Sequence, residues 1–385
     1  MTTRFLARYK SETVAACIDR EKQQEYGYGW FELPNYHEGA VVYDVVVPDD
    51  GNYYHNGIAI DVIVEADSME DASNTARSAA AHIFSLITFC TNTETTRPEE
   101  RLLLEYDEGM ESRHIRQFSP PSDEEPTIGT VRKLEEDVFF PAYGAVHSDE
   151  LSDLDREDVM RSLERYSSAL RQQTATDQFL WFFIAFDSLE NQLVKRFDVS
   201  TTKEHPCDHC GEVNEIPDNN AGKEYFLDEE CSESEFTYSE INGIRNSLIH
   251  GGPIGRAGEQ VEEFSRIVRE AIVEVLELDS DVGKTIIEQG INGQLRKELM
   301  ISTASISGYE PLELKRFREQ PGANLTRVDV TYDIVGKQIR RKPKDRVDWN
   351  LPDPLTIDWY SLGYRPIGNS GAPEINDVCI DENKG

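Results

Sequence analysis

Apolar and polar residues alternate over several stretches in the first part of the chain. Residues 40–48 and 57–66 are rich in Val and Ile and alternate over part of their length, which predicts two strands. Residues 101–108 predict another strand, and residues 68–89 carry the spacing of a helix. This pattern predicts a strand-rich domain with one helix over residues 1–148.

The middle of the chain has apolar residues three and four positions apart, the period of an amphipathic helix. The second such segment contains FLWFFIAF, residues 179–186, which is apolar nearly all round and predicts the buried centre of a bundle. Four helices in succession favour an antiparallel bundle. The predicted helices cover residues 155–173, 176–198, 236–251 and 257–278.

The last hundred residues carry a weaker pattern. A helix is predicted over about residues 282–300 and a strand over residues 326–336, while the remainder is rich in Pro, Gly and Asp. The sequence as a whole therefore predicts an α+β fold. Its centre is a bundle of four to five helices at residues 149–280, preceded by the strand-rich domain and followed by a mixed, loop-rich region at residues 281–385.

The chain is strongly acidic, with 73 Asp and Glu against 39 Lys and Arg and a formal net charge of −34. Lysine is the rarer base, at 13 residues, and the acids are spread along the chain. This composition is typical of proteins from organisms that keep molar salt in the cell. There, a Debye length of roughly 3 Å stops the surface from repelling nucleic acid at a distance. The competing interpretation is a protein that avoids polyanions.

The N-terminal residues lack the apolar segment of a secretion signal. Residues 179–186 form the longest apolar run, which is too short to span a bilayer. We therefore expect a cytoplasmic protein with no membrane partner. Six cysteines in 385 residues do not predict a disulfide scaffold.

The third predicted helix ends in EINGIRNSLIHGG, residues 240–252, and carries the candidate catalytic residues Arg245, Asn246 and His250. Asn246 and His250 are four positions apart and share a helix face, whereas Arg245 lies about 140° round and roughly 7.5 Å along an ideal helix from His250. Arg245 and His250 would meet only if the last turn loosens or if two copies pack together. In the alternative interpretation, Gly251 ends the helix and His250 only caps the last carbonyls.

The Arg-Asn-x-x-x-His sequence at a helix end, followed by Gly, resembles the Arg-x4–6-His motif of HEPN domains. These are α-helical bundles of prokaryotic toxins, abortive-infection proteins and CRISPR-associated ribonucleases. A polar residue directly after the Arg, here Asn246, is the pattern of the catalytically competent branches. The stretch FIAFDSLENQL at residues 183–193 is similar to the aromatic-acidic second helix of ApeA-like HEPN proteins, which also carry an N-terminal strand-rich domain. The resemblance covers about residues 150–280.

This resemblance implies metal-independent RNA cleavage, with no catalytic cofactor, by a homodimer that acts in phage defence or as a toxin-like effector. His250 would take a proton from a ribose hydroxyl or give one to the leaving oxygen, Arg245 would stabilise charge on the phosphate, and Asn246 would orient the phosphate or the imidazole. Asp187 and Glu190 are expected to hold Arg245, or else to form the solvated edge of their helix. The alternative function is a HEPN bundle that has lost catalysis and serves as a dimerisation or nucleic-acid-binding module.

Three cysteines cluster at residues 201–235, an insertion between the second and third helices. Two of them are separated by two residues and followed by Gly, which is the spacing of a zinc knuckle. A histidine would complete the tetrahedral set of a structural zinc site. The alternative is a degenerate loop that no longer binds metal. The candidate ligands are Cys207, Cys210 and Cys231, with His205 or His209 as the fourth.

Overall fold

The structure is a computed structural model of the 385-residue chain. Up to the end of the helical part it describes residues 2–11, 16–18, 30–49, 52–95, 97–106, 112–119, 132–172, 174–206, 209–210, 212–230, 236–251 and 255–291. Beyond these it describes strands at residues 299–307, 327–329, 332–335, 338–341, 346–348 and 356–365.

Strands dominate the first part of the chain, with one long helix among them. In chain order these elements are β1 (Thr3–Ser11), β2 (Ala16–Ile18), β3 (Trp30–Leu33), β4 (Ala40–Asp49), β5 (Asn52–Ala66), α1 (Met69–Thr91), β6 (Glu99–Glu105), β7 (Ser112–Ser119) and β8 (Arg132–Leu134). The strands predicted at residues 40–48, 57–66 and 101–108 are found as β4, β5 and β6, and the helix predicted at residues 68–89 is found as α1.

The middle of the chain is helical and contains one exposed β-hairpin. Its elements are α2 (Glu136–Val146), α3 (Asp153–Leu170), α4 (Ala175–Asp187), α5 (Glu190–Phe197), β9 (Thr202–Pro206), β10 (Val213–Pro217), α6 (Ala221–Tyr225), a π-helical turn (Phe226–Glu230), α7 (Tyr238–Ile249), α8 (Gly255–Val275) and α9 (Ser280–Ile287). The described C-terminal elements are β11 (Leu299–Ser307), β12 (Arg327–Asp329), β13 (Tyr332–Val335), β14 (Gln338–Arg341), β15 (Arg346–Asp348) and β16 (Thr356–Arg365).

These elements form two compact units, whose boundaries differ from the three consecutive segments predicted. The first unit takes residues 1–80, 96–129 and 295–385, and the second takes residues 81–95 and 130–294. The C-terminal strands therefore belong with the N-terminal ones. The helices from α2 to α9 belong to the second unit.

The first unit is built on an eight-stranded antiparallel sheet in the order β16-β11-β7-β6-β1-β5-β4-β3. The first half of α1 contributes the small buried side chains of Ala72, Ala76 and Ala79 to the core of this unit. The buried hydroxyl of Tyr9 on β1 donates to the carbonyl oxygen of Ser73 on α1 at 2.8 Å. An antiparallel sheet in one unit and helices in the other confirm the predicted α+β class.

The second unit has an aromatic core between α3, α4 and α8. The rings of Phe179 and Phe264 have centroids 4.7 Å apart, and those of Tyr166 and Phe182 are 5.1 Å apart. Aromatic pairs at these distances stabilise a core beyond the area they bury. Ile184 on α4 is nevertheless 44% exposed, so α4 is buried on most of its surface and not all round.

Two predicted helices differ from the observed elements. The single helix expected at residues 176–198 is divided at Ser188–Leu189 into α4 and α5. The helix expected at residues 282–300 ends at Ile287, and Leu299–Ser307 is the strand β11 instead. Only the last four residues of β11, ASIS, alternate apolar and small polar residues, so its sequence carries a weak strand signal. None of the helices in the described parts of the chain combines the length and the apolar character that crossing a membrane requires.

Candidate functional site

Helix α7 carries the three candidate catalytic residues, and local bonds define both of its ends. The Thr237 hydroxyl accepts from the Glu240 N–H at 3.3 Å, and the Glu240 carboxylate accepts from the Thr237 N–H at 3.0 Å, which is a complete capping box. At the other end, Gly251 has a φ of +76°, in the left-handed region that favours glycine. Local interactions therefore define both the first and the last residue of α7.

Arg245 lies half-buried against α4. Its guanidinium carbon is 5.3 Å from the centre of the Phe183 ring, within cation–π range. Its Nη1 donates to Asn246 Oδ1 at 2.8 Å. Arg245 forms no salt bridge with any carboxylate of the residues that the structure describes. Among the described residues, the printed contacts of Arg245 are therefore an amide oxygen and an aromatic ring.

His250 is exposed at the C-terminal end of α7. Its backbone N–H donates to the Asn246 carbonyl at 3.1 Å, and the Gly251 N–H donates to the Leu248 carbonyl at 3.2 Å. Backbone groups thus satisfy these carbonyls, with Gly251 as the left-handed residue that the alternative interpretation expected. The His250 imidazole forms no hydrogen bond with a described residue, so capping does not require this side chain.

The structure brings Arg245 and Asn246 together, but not Arg245 and His250. Because α7 stays a regular α-helix through Ile249, the last turn does not loosen to let Arg245 swing toward His250. The two residues keep the separation of about 140° that helix geometry dictates. Asn246 connects them, since it is bonded to Arg245 and occupies the same helix face as His250.

Asp187 and Glu190 contact Lys223 on α6, and not Arg245 as expected. The Lys223 ammonium is hydrogen-bonded to Asp187 Oδ1 and lies 3.9 Å from Glu190 Oε2. Only 1% of the Lys223 side chain is exposed, against 58% for Asp187 and 15% for Glu190. The expectation that these acids hold Arg245 is therefore corrected: a buried lysine that the sequence analysis did not single out binds both.

The position of Lys223 is set by the close approach of α6 to α5. A Cβ on Gly222 would lie 2.8 Å from the Val194 nitrogen and 2.9 Å from the Glu190 carbonyl oxygen, so no larger residue fits there without a backbone shift. The Glu190 carboxylate accepts from the N–H groups of Gly222 and Lys223 at 2.9 and 3.1 Å. A signal for this lysine does exist in the sequence, because it is the only Lys or Arg between Lys203 and Arg245.

Tyr238, at the start of α7, closes the same cluster. The Lys223 ammonium lies 5.8 Å from the centre of its ring. Burial raises the pKa of the Tyr238 hydroxyl, and the negative charges of Asp187, Glu224 and Glu190 raise it further, while Arg245 lowers it. Burial likewise raises the pKa of Glu190, against the opposing effects of its two backbone donors and Lys223. The cluster therefore combines a buried lysine and a mostly buried Glu190 with an Asp187 that still reaches solvent.

The candidate zinc ligands lie in and beside the hairpin β9–β10. Cys207 and Cys231 fall outside the described residues. His205 is exposed on β9 opposite Asn214, and His209 and Cys210 are exposed in the turn that follows. No group of three or more metal-binding side chains comes together among the residues that the structure describes.

Comparison of the chain with protein-family models, with curated proteins and with solved structures found no match. Three polar residues, Arg245, Asn246 and His250, lie at one end of α7. Asn246 and His250 are exposed, and Arg245 has no acidic partner among the described residues.

Proposed function

We propose that this chain is a metal-independent endoribonuclease of the HEPN type, which acts as a homodimer in phage defence or as a toxin-like effector. One observation carries the proposal. Arg245 pairs with no carboxylate of the described residues and donates to Asn246, which shares a helix face with the exposed His250. A cation and an imidazole at one helix end are the two kinds of group that phosphodiester cleavage needs.

In the proposed reaction, His250 accepts the proton of the ribose 2′-hydroxyl. The 2′ oxygen then forms a bond to phosphorus, the bond from phosphorus to the 5′ oxygen breaks, and the 5′ oxygen takes a proton from solvent. The products are a 2′,3′-cyclic phosphate and a 5′-hydroxyl, so neither water nor a redox partner is consumed. Arg245 stabilises the charge that develops on the pentacoordinate phosphate, and Asn246 holds the guanidinium in place.

Within one copy, Arg245 and His250 do not meet. In a dimer, Arg245 of one copy would lie near His250 of the other. Ile184 and Ile249 are 44% and 54% exposed and are two of the four large apolar side chains exposed among the described residues, with Leu154 and Val213. Ile184 is next to Phe183, and Ile249 is one turn beyond Arg245 on α7. A second copy packed over this surface would cover both isoleucines and bring its own His250 toward Arg245 of the first copy.

The first test is cleavage of total RNA by the purified protein in molar KCl, with and without EDTA. We expect cleavage that resists EDTA and leaves cyclic phosphate ends. His250→Ala and Arg245→Ala should each lower the rate by roughly a hundredfold or more, the usual scale for a general base or a charge-stabilising group. Arg161→Ala is the matched control, because Arg161 is an exposed helical arginine paired with Glu157. Cleavage retained by both α7 variants would exclude these residues, and RNA binding without cleavage would favour the non-catalytic module.

The second test mixes the two inactive variants. If each site takes Arg245 from one copy and His250 from the other, a mixed dimer contains one intact site. Random exchange between equal amounts of the two variants should then restore about a quarter of the wild-type rate, since half of the dimers are mixed and each has one working site of two. Dimers that exchange subunits without recovering activity would contradict the shared site.

We also propose that the 201–235 insertion binds one structural zinc. The support is the chemistry of the donor set, in which Cys207, Cys210 and Cys231 are joined by His205 or His209. The metal would hold the hairpin and the segment after the π-helical turn together and would take no part in cleavage. Metal analysis should find one zinc per chain, and Cys207→Ser should lose it while RNA cleavage persists. A wild-type protein without stoichiometric zinc would overturn the assignment.

A further inference from the structure

Asp187 lies one helical turn from the aromatic ring that Arg245 contacts, and it forms no salt bridge with Arg245. Phe183 and Asp187 are four positions apart on α4, so their side chains are neighbours on the helix surface. Asp187 is therefore the acid of α4 nearest in sequence to the point where the Arg245 guanidinium meets Phe183. The charges of both residues also act on the pKa of Tyr238, in opposite directions. A salt bridge between Asp187 and Arg245 would remove the cation that the proposed reaction uses.

Lys223 competes with Arg245 for Asp187. Leaving Lys223 without a counter-ion costs more free energy than leaving Arg245 without one. An ammonium that is 1% exposed is expensive to bury without a counter-ion, whereas the half-buried Arg245 is still reached by water. The close contact of Gly222 with α5 and the two N–H bonds to Glu190 hold the lysine backbone at this place. The backbone from which the Lys223 side chain extends is therefore fixed beside α5.

We propose that Lys223 is a positioning residue that keeps Asp187 away from Arg245, so that the arginine stays available to the phosphate of the substrate. This inference rests on the ribonuclease proposed above and adds a residue to it. Lys223 does not touch RNA in this arrangement. It acts through the carboxylate that it occupies.

The test is a rescue experiment. Lys223→Met removes the ammonium and frees Asp187 to bind Arg245, so kcat/KM for RNA cleavage should fall by roughly tenfold or more, the scale of a charge-assisted hydrogen bond. The double variant Lys223→Met with Asp187→Asn has no carboxylate at position 187, and Glu190 is still held by the N–H groups of residues 222 and 223, so the double variant should recover most of the lost rate. Damage to the fold would not be repaired by the second substitution, so failure of the rescue in a folded double variant would overturn the proposal.

Two controls keep this test decisive. Lys195→Met removes an exposed lysine that binds Asp155, and it should leave the cleavage rate unchanged. If circular dichroism shows that Lys223→Met does not fold, the cleavage rate of Asp187→Asn is compared with that of the wild type. An acid that positions Arg245 would lower the rate more than tenfold when removed, as expected for a charge-assisted bond, and that result would overturn the proposal. An acid held by Lys223 would not lower the rate.

Failure of the ribonuclease itself would be recognised separately. If the wild type does not cleave RNA, the midpoint of urea unfolding measures the coupling between Asp187 and Arg245 in a double-mutant cycle. The coupling should be absent with Lys223 present and favourable in the Lys223→Met background. Equal coupling in both backgrounds would show that Lys223 does not govern the pairing, whatever the function of the site.

Discussion

The helical unit buries two cations to the same extent and satisfies them in different ways. Lys223 and Arg269 are each 1% exposed. Lys223 is bound by the carboxylate of Asp187 and lies near that of Glu190. Arg269 donates instead to backbone carbonyls, at 2.5 Å to Ile286 and 3.4 Å to Ser265, and forms no salt bridge with a carboxylate of the described residues.

The difference follows from where each cation lies. Arg269 extends from α8 to the last turn of α9, where backbone carbonyls have no partner within the helix. A guanidinium has several donors in one plane and can bind two carbonyls at once. The Lys223 side chain extends from α6 to the C-terminal end of α4, where it reaches the carboxylate of Asp187. Arg269 therefore caps the C-terminal end of α9. Lys223 binds acids that would otherwise be available to Arg245.

The largest predicted effect is at Arg269. Arg269→Ala leaves a cavity in the core and removes the side-chain partner of the Ile286 carbonyl, so it should lower the free energy of unfolding by about 3–5 kcal/mol. Chemical denaturation followed by Trp181 fluorescence measures this. Arg266→Ala is the control on the same helix, and it should cost less than about 1 kcal/mol, because Arg266 forms partly exposed pairs with Glu263 and Glu270. Equal losses of unfolding free energy in the two variants would contradict the larger contribution of Arg269 to stability.

The next effect is at the contact that holds Lys223. Gly222→Ala places a methyl group within 3 Å of the Val194 and Glu190 backbones, so α6 must shift, at a cost of about 1–3 kcal/mol. Gly243→Ala is the matched control, since nothing lies within 4 Å of the added Cβ. It should stabilise α7 by about 0.5–1 kcal/mol. A neutral Gly222→Ala would show that the close contact is absent in solution.

A smaller effect tests the polar network beside Arg269. The buried Tyr166 hydroxyl donates to Asn92 Oδ1 at 2.5 Å and lies 2.9 Å from the Ser265 hydroxyl. Tyr166→Phe leaves the Asn92 oxygen without this donor and should cost about 1–2 kcal/mol in unfolding free energy. Tyr225→Phe is the control, because it removes a longer bond to the exposed Glu230 and should cost clearly less than Tyr166→Phe.

The smallest effect comes from an exposed lysine. Lys195 is 60% exposed, and its bond to Asp155, with help from Gln192, lowers the pKa of that carboxyl to about 2. Because the pKa is depressed in the folded state, the stabilisation is complete above the ordinary value and is lost as pH falls toward 2. Solvent screening limits it to about 1 kcal/mol or less. Between pH 5 and pH 2, the unfolding free energy of the wild type should therefore fall slightly more than that of Asp155→Asn. The same pH dependence of the unfolding free energy in both proteins would contradict this.

The candidate site was only partly predictable. The motif residues, the helix that carries them and its glycine stop can be derived from spacing and capping rules, and α7 ends where those rules place the end. The partner of Asp187 could not be derived, because Lys223 is thirty-six residues away and reaches it only through the packing of α6 on α5. The zinc prediction stays a prediction, since two of its cysteines lie outside the described residues.

The strands β4, β5 and β6, the helix α1 and the polar end of α7 are determined by the sequence itself, because period, capping residues and glycine act over a few neighbouring positions. Only the tertiary structure decided that β11 and β16 join the N-terminal strands and that the helix predicted at residues 176–198 divides into α4 and α5. It also decided which cation binds Asp187. These outcomes depend on contacts between residues far apart in the chain, where competition for buried surface and for counter-ions is settled by packing and not by local pattern.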